Sequence, residues 1–241
     1  MEELVARLRA AASIFVLTGS GISVESGLPT FRGAGGLWRN RRVEELASPQ
    51  GFERDPVLVW TWYNQRLATH ASAQPNAGHT ALARLEDLCG DFTLATQNVD
   101  SLHLRAGSRR VLELHGHLRE ARCSGCGTRR TLGAGGLPLD EIDHACGGRM
   151  RPCVVWFGEP LPADVWSHAE RAAARADAIL VVGTSAVVYP AAALATRYAR
   201  AAYVVEINPE ATPVSEAVDL ALREPAASAL PRIADALSAS R

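Results

Sequence analysis

Residues 14–38 read IFVLTGSGISVESGLPTFRGAGGLW, and this stretch decides the fold. Residues 14–17 form an apolar run without polar alternation, the pattern of a strand covered on both faces in a parallel sheet. The run leads directly into Thr18-Gly19-Ser20-Gly21. Two glycines around a small residue let backbone amides approach a phosphate closely, and a strand entering such a loop is how dinucleotide-binding sheets begin. Ser23 and Ser26 add hydroxyl donors. The ordinary dinucleotide fingerprint asks for a third glycine at position 24, where this chain has Val24. Gly27-Leu28-Pro29-Thr30-Phe31-Arg32-Gly33 is too irregular for a helix, and Gly35 and Gly36 follow it. Such a segment, with one ring and one guanidinium, either closes over a nucleotide or lies on the surface.

Working outward, the chain has 241 residues, 47% hydrophobic and 21% charged, the composition of a globular protein of one to two domains. No apolar run approaches the roughly 20 residues that span a bilayer. The opening MEELVARLRAA places Leu4, Val5 and Leu8 on one face of an amphipathic helix and lacks a signal-peptide core. A cytoplasmic protein without a membrane partner is the expectation. The net charge of -1 predicts no nucleic-acid binding. All 25 basic residues are arginine, so a lysine-directed enzyme of this sequence has no side-chain substrate in itself. Five cysteines without a secretion signal argue against a disulfide framework. Nothing in the sequence specifies an oligomeric state.

The periodicities predict helices over 2–12, 79–88, 163–176 and 229–237, and one beginning at Pro56. They predict strands over 92–96, 111–114, 178–182, 203–207 and 219–222, with Pro75-Asn76 as a break. Strands alternating with helices give an α/β sheet. Gln97-Asn98-Val99-Asp100 falls at a strand's carboxyl end, where open α/β sheets bind ligands; its side chains either bond a ribose or carboxamide or cap the next helix. His115-Gly116 ends another strand, an exposed position suited to a general base. Tyr63 and Arg66 share a helix face, either as a binding pair or as packing and solvated surface.

GSGISVESGLPTFRG with Gly36-Leu37-Trp38, TQNVDSLH at 96–103, LHGHL at 114–118, RPCVVWFGE at 151–159, GTSAVVYPAA at 183–192 and EIN at 206–208 together resemble, in order, the signatures of the sirtuins. These are NAD-dependent protein lysine deacylases, and the resemblance spans about residues 12–235. It implies a Rossmann-type NAD-binding domain of 1–36, 76–117 and 153–241, and a small domain of 37–75 and 118–152. NAD and an acyl-lysine protein or peptide would meet between them. The implied NAD contacts are Gly19, Ser20, Gly21, Ile22, Phe31, Arg32, Trp38, Gln97, Asn98, Asp100, Gly183, Thr184, Ser185, Asn208 and Ala226. His115 and Asn98 take the catalytic roles, and Val154, Phe157 and Gly158 line the acyl-lysine groove. The Tyr63/Arg66 spacing matches the subgroup that removes succinyl and malonyl groups. The implied products are nicotinamide and O-acyl-ADP-ribose. Mono-ADP-ribosyl transfer and a non-catalytic NAD-sensing module are the alternatives.

Cys123-x-x-Cys126 reads as half of a zinc knuckle, with Cys146 beyond a glycine-containing loop. The family places a second cysteine pair beginning at position 143, where this chain has Asp143 with His144 beside it. The expectation is a structural zinc completed by Asp143 or His144, or a module that folds without metal. Cys153 falls in the 151–159 motif, outside that module.

Overall fold

The computed structural model describes residues 1–30, 37–38, 41–197 and 202–239. Phe31 and Arg32 lie outside the described residues, as does the side chain of Trp38. Helix α1 (Glu2–Ala10) leads into β1 (Ser13–Thr18) and a 3-10 turn at Ser20–Ser26. Short strands β2 (Leu37–Trp38) and β3 (Arg41–Arg42) pair antiparallel, followed by α2 (Val43–Leu46), α3 (Pro49–Arg54) and α4 (Pro56–Ser72). Then come α5 (Ala77–Leu88), β4 (Asp91–Thr96), α6 (Leu102–Arg105) and β5 (Val111–Glu113). Strands β6 (Gly116–Cys123), β7 (Arg129–Thr131) and β8 (Met150–Val154) form an antiparallel sheet. The chain closes with α7 (Ala163–Arg175), β9 (Ala178–Val182), α8 (Ala193–Thr196), β10 (Tyr203–Ile207), β11 (Leu220–Leu222) and α9 (Ala226–Ser238).

The main sheet is parallel, in the order β11-β10-β9-β1-β4-β5. β1 sits at its middle and is buried on both faces, as its unbroken apolar run requires. Ile14 and Val16 point to the layer of α1, α5 and α9, and Phe15 and Leu17 to the layer of α7 and α8. The same period of two sends Leu180 and Val182 of β9 one way and Ile179 and Val181 the other. The order reverses at β1, with β4 on one side and β9 on the other. Thr18 is in register with Thr96 of β4 and Val182 of β9, so three carboxyl ends finish level. That is the topological switch point where such sheets hold ligands.

Local chemistry sets the ends of the elements. α1 stops at Ala10, short of the 2–12 expected, because the Ala12 and Ser13 amides both donate to the Asp177 carboxylate at 2.9 Å. Asn76, read as a break, is the cap of α5: its side chain accepts from Gly78 and His79 amides, and its amide donates to His79 Nδ1. Asp55 caps α4, with Pro56 in the first turn. Strand β7 lies within a segment expected to be loop. All its residues are exposed, so no apolar alternation marked it.

A third core joins distant stretches. Trp60, Trp62, Tyr63 and Leu67 of α4 pack with Leu118, Ala121 and Cys123 of β6, Met150 and Val154 of β8, and Trp156. Trp60 Nε1 donates to the Met150 carbonyl at 2.7 Å, and Asn64 exchanges two hydrogen bonds with the Leu137 backbone. Each fully buried large apolar side chain contributes about 1.5–3 kcal/mol, so this core holds the helical stretch against the antiparallel sheet.

Candidate active site

The carboxyl ends of β1, β4 and β9 open into a cleft of about 650 Å³. Gly19, Ser20, Gly21, Gln97, Asn98, Asp100, His115, Gly183, Thr184, Ser185 and Asn208 line it together. Tyr63, Arg66, Val154, Phe157 and Gly158 line it as well. Two residues expected to contact NAD turn their side chains into the core, leaving only backbone to face the cleft. Ile22 is fully buried in the core under α5 and α9, because the 3-10 turn aims its side chain away from the cleft. Ala226 begins α9 and is buried against α5, whose Gly78 approaches it too closely for a Cβ to fit without movement.

The glycines of the first loop have a second reason beyond ligand approach. Gly19 and Gly21 amides donate to the Val182 and Gly183 carbonyls at 3.1 and 2.7 Å. A Cβ on Gly21 would stand 2.6 Å from the Gly183 carbonyl oxygen. The two loops touch backbone to backbone, which brings Ser20 and Ser185 to one wall.

His115 follows β5. Its Nδ1 lies 3.0 Å from the Gln97 carbonyl, which only accepts, so Nδ1 carries the proton and Nε2 keeps a free lone pair. Burial lowers its pKa below the usual histidine value, partly opposed by the Gln97 bond, so the ring is neutral at pH 7. Gln97 is itself held by Thr184, its amide donating to Oγ1 at 2.9 Å.

Asn98 and Asp100 are joined through Ser23, which is 1% exposed. Asn98 Nδ2 donates to Ser23 Oγ at 3.2 Å and to the Gly19 carbonyl at 3.1 Å. Ser23 Oγ donates to Asp100 Oδ2 at 2.8 Å, and the Leu102 amide donates to Oδ1. Burial raises the Asp100 pKa; the hydrogen bonds and the Arg66 charge oppose it. Beneath them, Thr18, Thr96 and His103 form a buried chain of hydrogen bonds, and Thr96 Oγ1 accepts from the Asn98 amide. The sequence named Ser23 only as a donor and did not single out this chain, since its members are far apart in sequence.

Tyr63 and Arg66 share the cleft-facing side of α4, as their three-residue spacing requires. The Tyr63 ring packs at 4.6 Å from that of Trp62, and the Arg66 guanidinium lies 5.3 Å from the same indole. Burial lowers the Arg66 pKa, opposed by Tyr63 and Asp100, and burial raises the Tyr63 pKa. His70, one turn further on, also lines the cleft; burial and the Arg66 charge push its pKa down to about 3.

Away from the cleft, Cys123, Cys126, His144 and Cys146 place their ligand atoms within 4.8 Å of one another. Cys123 and Cys146 sulfurs are 3.5 Å apart, and His144 Nδ1 stands 3.2 and 3.7 Å from Cys146 and Cys126. Tetrahedral zinc with bonds of about 2.0–2.3 Å separates its ligand atoms by about 3.3–3.8 Å, so this donor set fits the ion. A side chain on Gly148 would press on Cys123 Sγ at 2.8 Å, so glycine there keeps the site open. Asp143, the other expected fourth ligand, instead pairs with Arg149 at 3.3 Å and is not part of the group. The β-bridge between Asp143 and Arg149 turns His144 inward. Cys153 is separate from the group, as expected.

The family model described as "Sir2 family" matches residues 19–190. An "NAD-dependent protein deacylase" of Thermus thermophilus is 50% identical over 228 residues, covering 92% of this chain and 89% of that protein. A solved Sir2 homologue in complex with NAD has a TM-score of 0.93 at 44% identity, covering 100% of this chain and 94% of the other. A complex described as "Sir2-p53 peptide-NAD+" has a TM-score of 0.85 at 30% identity, covering 98% of this chain and 97% of the other. By motif order, fold and these similarities, the chain belongs to the Sir2 family.

Proposed function

We propose that this protein is an NAD-dependent protein lysine deacylase that removes acetyl and, with preference, succinyl and malonyl groups. The observation that carries the reading is the position of His115, its Nε2 lone pair free in the same cleft as Asn98, Asp100 and the Gly19 and Gly183 loops. Bound NAD supplies the reactive bond to nicotinamide and the ribose hydroxyl that accepts the acyl group. Asn98 and Asp100 hold the nicotinamide and ribose, oriented through Ser23. The acyl oxygen would replace nicotinamide on the sugar, His115 Nε2 would take the proton of the neighbouring ribose hydroxyl as that hydroxyl attacks the acyl carbon, and lysine would leave as the free amine. With one water consumed, lysine, nicotinamide and O-acyl-ADP-ribose are the products. Val154, Phe157 and Gly158 border the extended substrate, and Tyr63 with Arg66 receives the acyl carboxylate.

The cleft lies between a Rossmann-type domain (1–36, 76–117 and 153–241) and a small domain (37–75 and 118–152), a division supported by a third hydrophobic core drawn mainly from 37–75 and 118–152, with Val154 and Trp156 joining it across the boundary. Cys123, Cys126, His144 and Cys146 hold a structural zinc in the small domain. Among the described residues no helix is long and apolar enough to cross a membrane.

A competition tests the function. One peptide carrying acetyl-lysine and the same peptide carrying succinyl-lysine are mixed with NAD and enzyme and followed by mass spectrometry. Faster NAD-dependent loss of succinyl is the expected result. Transfer of radiolabel from NAD to protein, without acyl-ADP-ribose, would replace the deacylase by an ADP-ribosyltransferase.

A further inference from the structure

The selectivity of the acyl end depends on how the Tyr63 hydroxyl is turned, and a second residue controls that. The Trp156 indole nitrogen carries a hydrogen and can only donate. It stands 2.9 Å from the Tyr63 oxygen, so that oxygen accepts and its own proton is directed elsewhere. Both residues are 3% exposed, so water does not compete for this bond. Trp60 and Trp62 flank the Tyr63 ring, with centroids 6.4 and 4.6 Å away. The cleft is therefore where a new acceptor can reach the phenol proton.

Trp156 is itself clamped. The Arg151 guanidinium lies 3.6 Å from its ring centroid, and Phe52 packs at 5.2 Å. Arg151 makes two bonds to the Glu159 carboxylate, at 2.6 and 2.7 Å, and Glu159 Oε2 also accepts from the Trp156 amide at 2.9 Å. A neutralised ion pair thus fixes the indole without adding net charge beside the pocket. Burial holds the Tyr63 pKa above the ordinary phenol value, so the proton stays in place.

We infer that Trp156 is a positioning residue for acyl selectivity: its indole N–H orients the Tyr63 hydroxyl so that the phenol proton is presented to the carboxylate of an acidic acyl group. This rests on the acidic-acyl reading of Tyr63 and Arg66.

The test is a double-mutant cycle of Trp156→Phe and Tyr63→Phe, with kcat and KM measured for succinyl and acetyl peptides at saturating NAD. Trp156→Phe is expected to raise KM for the succinyl peptide about three- to tenfold, the span of one neutral hydrogen bond. The acetyl KM and both kcat values should stay within about twofold. In the Tyr63→Phe background, Trp156→Phe should leave the succinyl-to-acetyl ratio unchanged, because there is no hydroxyl to orient. Equal losses for both peptides, or the same loss of ratio in both backgrounds, would overturn the inference. Where Trp156→Phe does not fold, benzothienylalanine placed at position 156 keeps the ring shape and removes only the N–H, with the same outcomes. A wild-type enzyme without succinyl preference overturns the acidic pocket and this inference together. A selective wild type whose ratio survives loss of the indole N–H overturns this inference alone.

Discussion

Replacing Arg66 by methionine removes a charge from the cleft while keeping an unbranched stem. An exposed ion pair would be worth about 0–1 kcal/mol, but Arg66 is half-buried on α4, behind the indole of Trp62. A hydrogen bond to a charged group in such a place contributes about 1.5–3 kcal/mol. At about 1.4 kcal/mol per decade, the variant should lose one to two decades of kcat/KM on a succinyl peptide relative to an acetyl peptide. Arg66 also opposes the rise in the Asp100 pKa, so its loss makes Asp100 harder to ionise. That effect falls on both peptides alike, which is why the ratio is the quantity to read. Loss of the contact with Trp62 lowers stability by about 0.5–1 kcal/mol, visible as a small drop in Tm. The assay measures kcat/KM for both peptides by release of nicotinamide. A succinyl-to-acetyl ratio that does not move would show that Arg66 serves packing, and the acidic-acyl pocket would be lost with it.

His115→Ala should reduce turnover by several orders of magnitude while calorimetry still detects NAD binding; near-normal turnover would remove His115 from the base role. Because burial lowers the His115 pKa, the enzyme should keep its free base below pH 6.5, and the acid limb of kcat/KM should have its midpoint there; a midpoint above 7 contradicts this. Buried His79 has its pKa pushed down to about 4, so the unfolded chain takes up that proton first as pH falls. Its contribution is present above about 6.5 and is lost between 6.5 and 4, so urea midpoints should drop across that window; a flat profile would count against a neutral buried His79. Protein purified without chelator should carry about one zinc per chain, lost in His144→Ala and kept in Asp143→Ala; the reverse pattern would restore Asp143 as the ligand.

Much of the fold is written locally. The apolar run before Thr18 and the run at 178–182 specify buried parallel strands, since only strands covered on both faces bear no polar residue. Gln97, Asn98, Asp100 and His115 were legible because strand ends place ligands by simple continuity of the chain. The Tyr63/Arg66 pair was legible because helical spacing fixes which residues share a face. Contacts made across the fold were not. The side chains of Ile22, inside the first glycine-loop motif, and of Ala226, at the start of α9, are aimed into the core by a 3-10 turn and by the packing of α9 on α5. Asp143 and His144 are adjacent and both plausible zinc ligands by chemistry; the bridge to Arg149 is what separates them. Ser23 joins Asn98 to Asp100 from 75 and 77 residues away, and Trp156 meets Tyr63 from 93. Periodicity and spacing report the geometry of one element at a time. Which donor meets which acceptor between elements depends on how the layers pack, and only the tertiary structure decides that.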